Sequence, residues 1–120
     1  MQYMLLIYGD QESWKSRSEE ENGQIYQAYM QFTKDLQDSG AMVAGDALEP
    51  TPTATTVRVR NDETLTTDGP FAETKEQLGG YYLIEAESLD EAIGWAAKIP
   101  GARHGSVEVR PVMVFEEDGS

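Results

Sequence analysis

Tyr3-Met4-Leu5-Leu6-Ile7-Tyr8, followed at once by Gly9-Asp10, is the stretch on which the fold turns. It is short, continuously apolar and closed by a turn signal, which predicts a strand covered on both faces. A strand puts Tyr3, Leu5 and Ile7 on one side of a sheet and Met4, Leu6 and Tyr8 on the other. Helices from the same chain can cover one side. The other side needs a second layer.

The rest of the chain supplies the elements. Gly9 to Arg17 reads as polar loop around one large ring, Trp14. Ser18-Glu19-Glu20-Glu21 is a capping box, and its acidic residues suit the positive end of a helix dipole. Ile25, Tyr29, Phe32 and Leu36 follow at helical spacing, and Gly40 stops that helix. Ala41 to Gly45 predicts a weaker strand. Thr55-Thr56-Val57-Arg58-Val59-Arg60 alternates, with the valines expected inward, and Thr64 to Thr67 completes a hairpin. Gln77 to Ala86 holds a further strand, apolar on both faces at Tyr81-Tyr82-Leu83-Ile84. Ser88-Leu89-Asp90-Glu91 is a second capping box, opening a helix with Leu89, Ile93 and Ala96 on one stripe and Trp95 beside it. Ser106 to Arg110 alternates as the last strand, and an acidic tail is expected over 116–120.

Strand, helix, strand, hairpin, strand, helix, strand is the βαββαβ plan of an α+β, ferredoxin-like domain with an inserted hairpin. Residues 1–120 fit one domain. Both helices land on one face of the sheet. The other face should then be polar, yet both faces are apolar: Tyr3, Leu5 and Ile7 oppose Met4, Leu6 and Tyr8 on the first strand, and Tyr81 and Leu83 oppose Tyr82 and Ile84 on the later one. The economical cover is the same face of a second copy, so a homodimer is expected.

Composition removes several classes of function. Without cysteine there are no disulfides, thiolate nucleophiles or thiolate zinc sites, and a single histidine, His104, allows no multi-histidine metal site. Neither metal nor cofactor is expected. Net charge is −13, from 22 acidic against 9 basic residues. Clustered cations for phosphate backbones or acidic membranes are missing, so nucleic-acid and membrane partners are not expected. The amino-terminal apolar run has no basic lead and is too short for a signal or a span, so a cytoplasmic location is the default.

The most crowded segment is Asp68-Gly69-Pro70-Phe71-Ala72-Glu73-Thr74-Lys75, running on to Gly79-Gly80-Tyr81-Tyr82. Asp68 is either a general base walled by Phe71, Tyr81 and Tyr82, or turn chemistry in which Asp-Gly-Pro satisfies local amides. His104 has the one side chain whose ordinary pKa is near neutrality. It is a catalytic partner for Asp68, or a solvated loop residue. Glu73 and Lys75 bind a polar ligand or form a surface pair. Tyr8, Tyr81 and Tyr82 are candidate ligand-binding donors. Glu108 and Arg110 share a strand face and should pair if that face is covered. Gly79-Gly80 permits a bulge or a close ligand approach. Trp14 is a lid, or packs on the first helix.

The motif Asp68-Gly69-Pro70-Phe71 resembles the signature of the DGPF group of YCII-related proteins. The Tyr3 to Tyr8, Thr55 to Arg60, Glu73 to Tyr82 and Gly105 to Val112 segments are similar to that group too, so the resemblance spans nearly the whole chain. It implies a dimeric α+β barrel. Wider relatives include enzymes that remove chloride during aromatic ring breakdown, some with a His–Asp pair. Asp68 matches the Asp position. Their histidine falls on the first helix, where this chain has Gln24, Tyr26 and Tyr29. Other members are encoded beside extracytoplasmic-function sigma factors. Two functions follow as expectations. One is a cofactor-free small-molecule lyase or isomerase, with Asp68 and His104 in a pocket at the Asp68–Phe71 turn. The other is a non-catalytic dimer that binds a ligand or a sigma-factor-related protein.

Overall fold

A computed structural model describes residues 1–115. The expected acidic tail lies outside the described residues. The elements are β1 (Gln2–Gly9), α1 (Gln11–Ser16), α2 (Glu19–Ser39), β2 (Met42–Ala47), β3 (Thr55–Arg60), β4 (Glu63–Asp68), β5 (Gln77–Glu85), α3 (Leu89–Lys98) and β6 (Ser106–Pro111). Short 3₁₀ turns at Thr51–Thr53 and Pro100–Arg103 join them. β2, β5, β1 and β6 form one antiparallel sheet in that order, with β1 inside it. This is the ferredoxin-like order, and β3–β4 forms a separate two-stranded ribbon inserted between β2 and β5.

The core lies where the strand pattern places it. Tyr3, Leu5, Tyr82 and Ile84 are buried on the helix side of the sheet, against Phe32 and Leu36 of α2. The Phe32 ring meets Tyr82 edge-on at 5.1 Å and Trp95 at 6.1 Å, the offset geometry aromatic quadrupoles favour. On the opposite face Met4, Leu6, Tyr8, Tyr81 and Leu83 are only half-buried. Glu108 and Arg110 share that face and do pair, at 3.2 Å.

Local signals explain most boundaries. Ser18 caps α2 with its side chain, and Glu21 reaches back to the Ser18 amide. Gly40 ends that helix at φ 83°, a left-handed conformation that costs glycine little. At α3 the second box is split. Ser88 accepts from the Glu91 amide at 3.2 Å, but the Glu91 carboxylate accepts from the Glu87 amide, 3.0 Å away. In β5, Leu78 and Gly80 pair with consecutive residues Tyr8 and Ile7, so Gly79 is the extra residue of a bulge.

Three expectations are corrected. The Gly9–Arg17 stretch is not all loop: Asp10 accepts from the Glu12 amide at 3.0 Å and caps the short helix α1. In α3 the buried residues are Ala92 and Ala96, with Ile99 just beyond, whereas Leu89 and Ile93 are about half exposed. The small residues let the helix lie close on the sheet. Val57 and Val59 do not point inward, because the ribbon packs on no layer of its own chain and both stay exposed.

Candidate functional site

A cavity of about 970 Å³ opens between α1, α2 and the β1, β2 and β5 strands. Its wall is aromatic for a physical reason. Tyr29 and Tyr26 project from α2, Trp14 from α1 and Tyr82 from β5, so α2 and the short helix frame the mouth and the sheet forms the floor. α1 is tied down at its start, since Thr51 lies between Gln11 and Gln77, at 2.9 and 2.7 Å from their side-chain oxygens. Trp14 is half exposed on that helix and lines the cavity. Its carbonyl accepts from the Asn22 side chain, which joins α1 to α2.

His104 also lines this cavity, although its loop is exposed. The β1–β6 register ends at Tyr8 opposite Ser106. Asp10, just past that end of the ladder, lines the cavity as well. A side chain at Gly105 would clash with the Tyr8 carbonyl, so glycine is what allows the loop to close on the end of β1.

The tyrosines divide by environment. Tyr29 is pushed above the ordinary phenol range, chiefly by burial, while the Gly101 backbone acts the other way. Its hydroxyl sits where a Gly101 side chain would be, 2.5 Å from that position. The Tyr82 hydroxyl is spent inside the fold on Thr33, at 2.7 Å. Tyr81 donates to Asp46 at 2.8 Å, and that bond raises its pKa. The Tyr8 hydroxyl lies 3.4 Å from Glu108, on the sheet face away from the helices. Tyr8, Tyr81 and Tyr82 all contribute to the cavity lining. Tyr29, half-buried in the cavity wall, was absent from the residues expected to bind; its place in the Ile25–Leu36 stripe marked it as core.

The Asp68–Phe71 segment stands elsewhere. Asp68 ends β4 opposite Thr55 and is exposed; Phe71 is 81% exposed. Gly69, at φ 100°, lets the chain turn, and its amide and carbonyl bond to Ala54 and Thr56. Glu73 and Lys75 are exposed and form no ion pair among the described residues. None of Asp68, Phe71, Glu73 and Lys75 lines the cavity. Within one chain His104, Asp10, Tyr29 and Trp14 thus share the wall of one cavity, and Asp68 is not part of it. The inserted ribbon is the reason, because it carries its own end of the motif off the four-stranded sheet. Among the described residues no three His, Asp or Glu side chains gather as metal ligands, and no helix is long and apolar enough to cross a membrane.

Comparison with known proteins places this architecture. A solved structure of a 5-chloro-2-hydroxyhydroquinone dehydrochlorinase from Burkholderia phenoliruptrix AC1100, in complex with 2,5-dihydroxybenzoquinone, superposes with a TM-score of 0.55. The alignment covers 94% of each chain at 16% identity, a likeness of fold. An uncharacterised protein of Rhizobium meliloti (strain 1021) is 38% identical over 118 residues, 97% of this chain and 95% of its own. The model of the YCII-related domain matches residues 1–116. The chain belongs to the YCII-related family.

Proposed function

We propose that the chain binds a small ring compound in the α1–α2 cavity and acts on it by cofactor-free acid–base chemistry, as a lyase or isomerase. The observation that carries this reading is the position of His104. The chain's one histidine lines a cavity walled by Trp14, Tyr26 and Tyr29. Aromatic walls suit a planar ligand, and an imidazole is the side chain best matched to moving protons near neutral pH. In this reading His104 exchanges the proton, Asp10 in the same cavity wall orients it, and the neutral Tyr29 phenol donates a hydrogen bond to a ligand oxygen. The name of the fold neighbour, a dehydrochlorinase complexed with a dihydroxybenzoquinone, fits the same class of ligand and an elimination.

A second copy belongs to this proposal. The half-buried Met4, Leu6 and Leu83 on the open sheet face support a homodimer. Asp68, Phe71, Glu73 and Lys75 enter the site only if a neighbouring copy carries its ribbon there. Light scattering at micromolar concentration should give a dimer mass, and a stable monomer would exclude this part of the proposal.

A thermal-shift screen of hydroxylated quinones and aromatic acids, followed by turnover assays on every stabilising compound, tests the reading. The expected result is stabilisation that weakens in His104→Ala, with turnover lost. The exposed ribbon, with Val57, Val59 and Leu65 uncovered and Arg58 and Arg60 beside them, favours the other reading, a non-catalytic module docking a protein such as a sigma-factor-related partner. No stabilisation by any compound, together with a protein partner lost on Val57→Asp, would favour that alternative.

A further inference from the structure

Beside the aromatic cavity runs a second groove, about 770 Å³, between α2 and the α3 end of the fold. The two share Arg17, Ile25, Gln31 and His104 in their walls, so His104 and Arg17 stand on the boundary between them. The charge of this groove departs from that of the chain. Overall, 22 acidic residues face 9 basic ones. In the groove, Arg17, Lys98, Arg103 and His104 face two carboxylates, Glu21 and Asp35. One third of the Lys and Arg side chains are thus gathered in one concavity, 3 of 9.

Ion pairing does not account for the gathering. The cations paired among the described residues are the amino terminus, Lys15, Lys34 and Arg110. Arg17 and Arg103 are not among them, and Lys98 lies over the Trp95 ring at 5.0 Å. Both arginines are set by backbone. Arg17 is the half-buried joint between α1 and α2, its amide donating to the Ser13 carbonyl at 3.2 Å. Arg103 closes the 3₁₀ turn that precedes His104. A net charge of −13 repels anions at long range. Guanidinium forks at a concave site reverse that locally, and their geometry matches an oxyanion.

We propose that Arg17 and Arg103 form an anion subsite that takes the carboxylate of an aromatic acid whose ring occupies the α1–α2 cavity. The ring placement rests on the reading of that cavity given above; the anion subsite rests on the groove. His104, on the shared boundary, lies between ring and carboxylate and so faces the bonds next to the ring.

Calorimetry with 4-hydroxyphenylacetate and its neutral amide tests the whole, and ¹⁵N NMR with inorganic phosphate tests the subsite alone. The acid should bind about tenfold more tightly than the amide, as expected for a charge-assisted contact. Arg17→Gln with Arg103→Gln should erase that preference and leave the amide's affinity in place. Phosphate should shift the Arg17 and Arg103 Nε signals of the unmodified protein. Arg103 is exposed, so Arg103→Gln alone serves if the double variant fails to fold. Equal binding of acid and amide, or a preference that survives the substitutions, would overturn the proposal and leave the cavity reading standing. Phosphate shifts at the two arginines with neither aromatic binding would uphold the subsite and remove the ring cavity. No phosphate shift at either arginine would overturn the subsite.

Discussion

Asp10 and His104 both line the aromatic cavity, each just beyond the Tyr8–Ser106 pair that ends the β1–β6 ladder. That juxtaposition depends on Gly105, whose missing side chain leaves room for the Tyr8 carbonyl. Gly105→Ala should therefore destabilise by about 1–3 kcal/mol, because backbone on both sides resists the added methyl. Gly94→Ala, on α3 with nothing within 4 Å of the new atom, should instead stabilise by about 0.5–1 kcal/mol. Urea unfolding of the two variants measures the opposite signs.

Asp10 also holds α1 in place. Asp10→Ala removes the acceptor of the Glu12 amide and should cost α1 about 1 kcal/mol. Hydrogen exchange should speed up across residues 11–16 while α2 keeps its protection, since α2 has its own Ser18–Glu21 box. Unchanged exchange in α1 would show that the Asn22 and Thr51 contacts alone hold it.

Phenol titration reports on Tyr29 and Tyr81, whose pKa values are both raised. A folded-state pKa above the unfolded value of about 10 means the associated stability is fully present below pH 10 and is lost as pH rises through the higher folded values. Alkaline absorbance titration of the six tyrosines should show a late-ionising fraction. Tyr29→Phe and Tyr81→Phe should each remove part of it. Asp46→Asn should bring Tyr81 back towards the ordinary range, since the Asp46 hydrogen bond is the first cause of its shift and the Asp46 charge the second.

Much of this fold could be read from particular residues. The two-faced Tyr3–Tyr8 strand, the Ser18 box and the Gly40 stop are local patterns with one structural solution each. Leu89 and Ile93 misled because size was taken for burial, whereas Ala92 and Ala96 are what a closely packed helix sets against a sheet. Val57 and Val59 alternate correctly, but alternation does not say whether a partner layer exists. The site was less legible for the same reason. Asp68 and His104 each carry suitable chemistry, yet their separation depends on where the inserted ribbon points. Asp10 was overlooked because it meets the His104 cavity wall only through the fold, across nearly the whole chain. The signal available was Gly9-Asp10 directly after β1.

Ligand chemistry in the α1–α2 cavity centres on His104 in the proposed function. Its most direct test is an NMR map with 2,5-dihydroxybenzoquinone, read at the Trp14 indole, the His104 ring and the Tyr29 and Phe71 amides. Saturable shifts are expected at Trp14, Tyr29 and His104, with Phe71 moving only if a neighbouring copy's ribbon reaches the cavity. Shifts centred on Phe71 and Asp68 with His104 silent would contradict it.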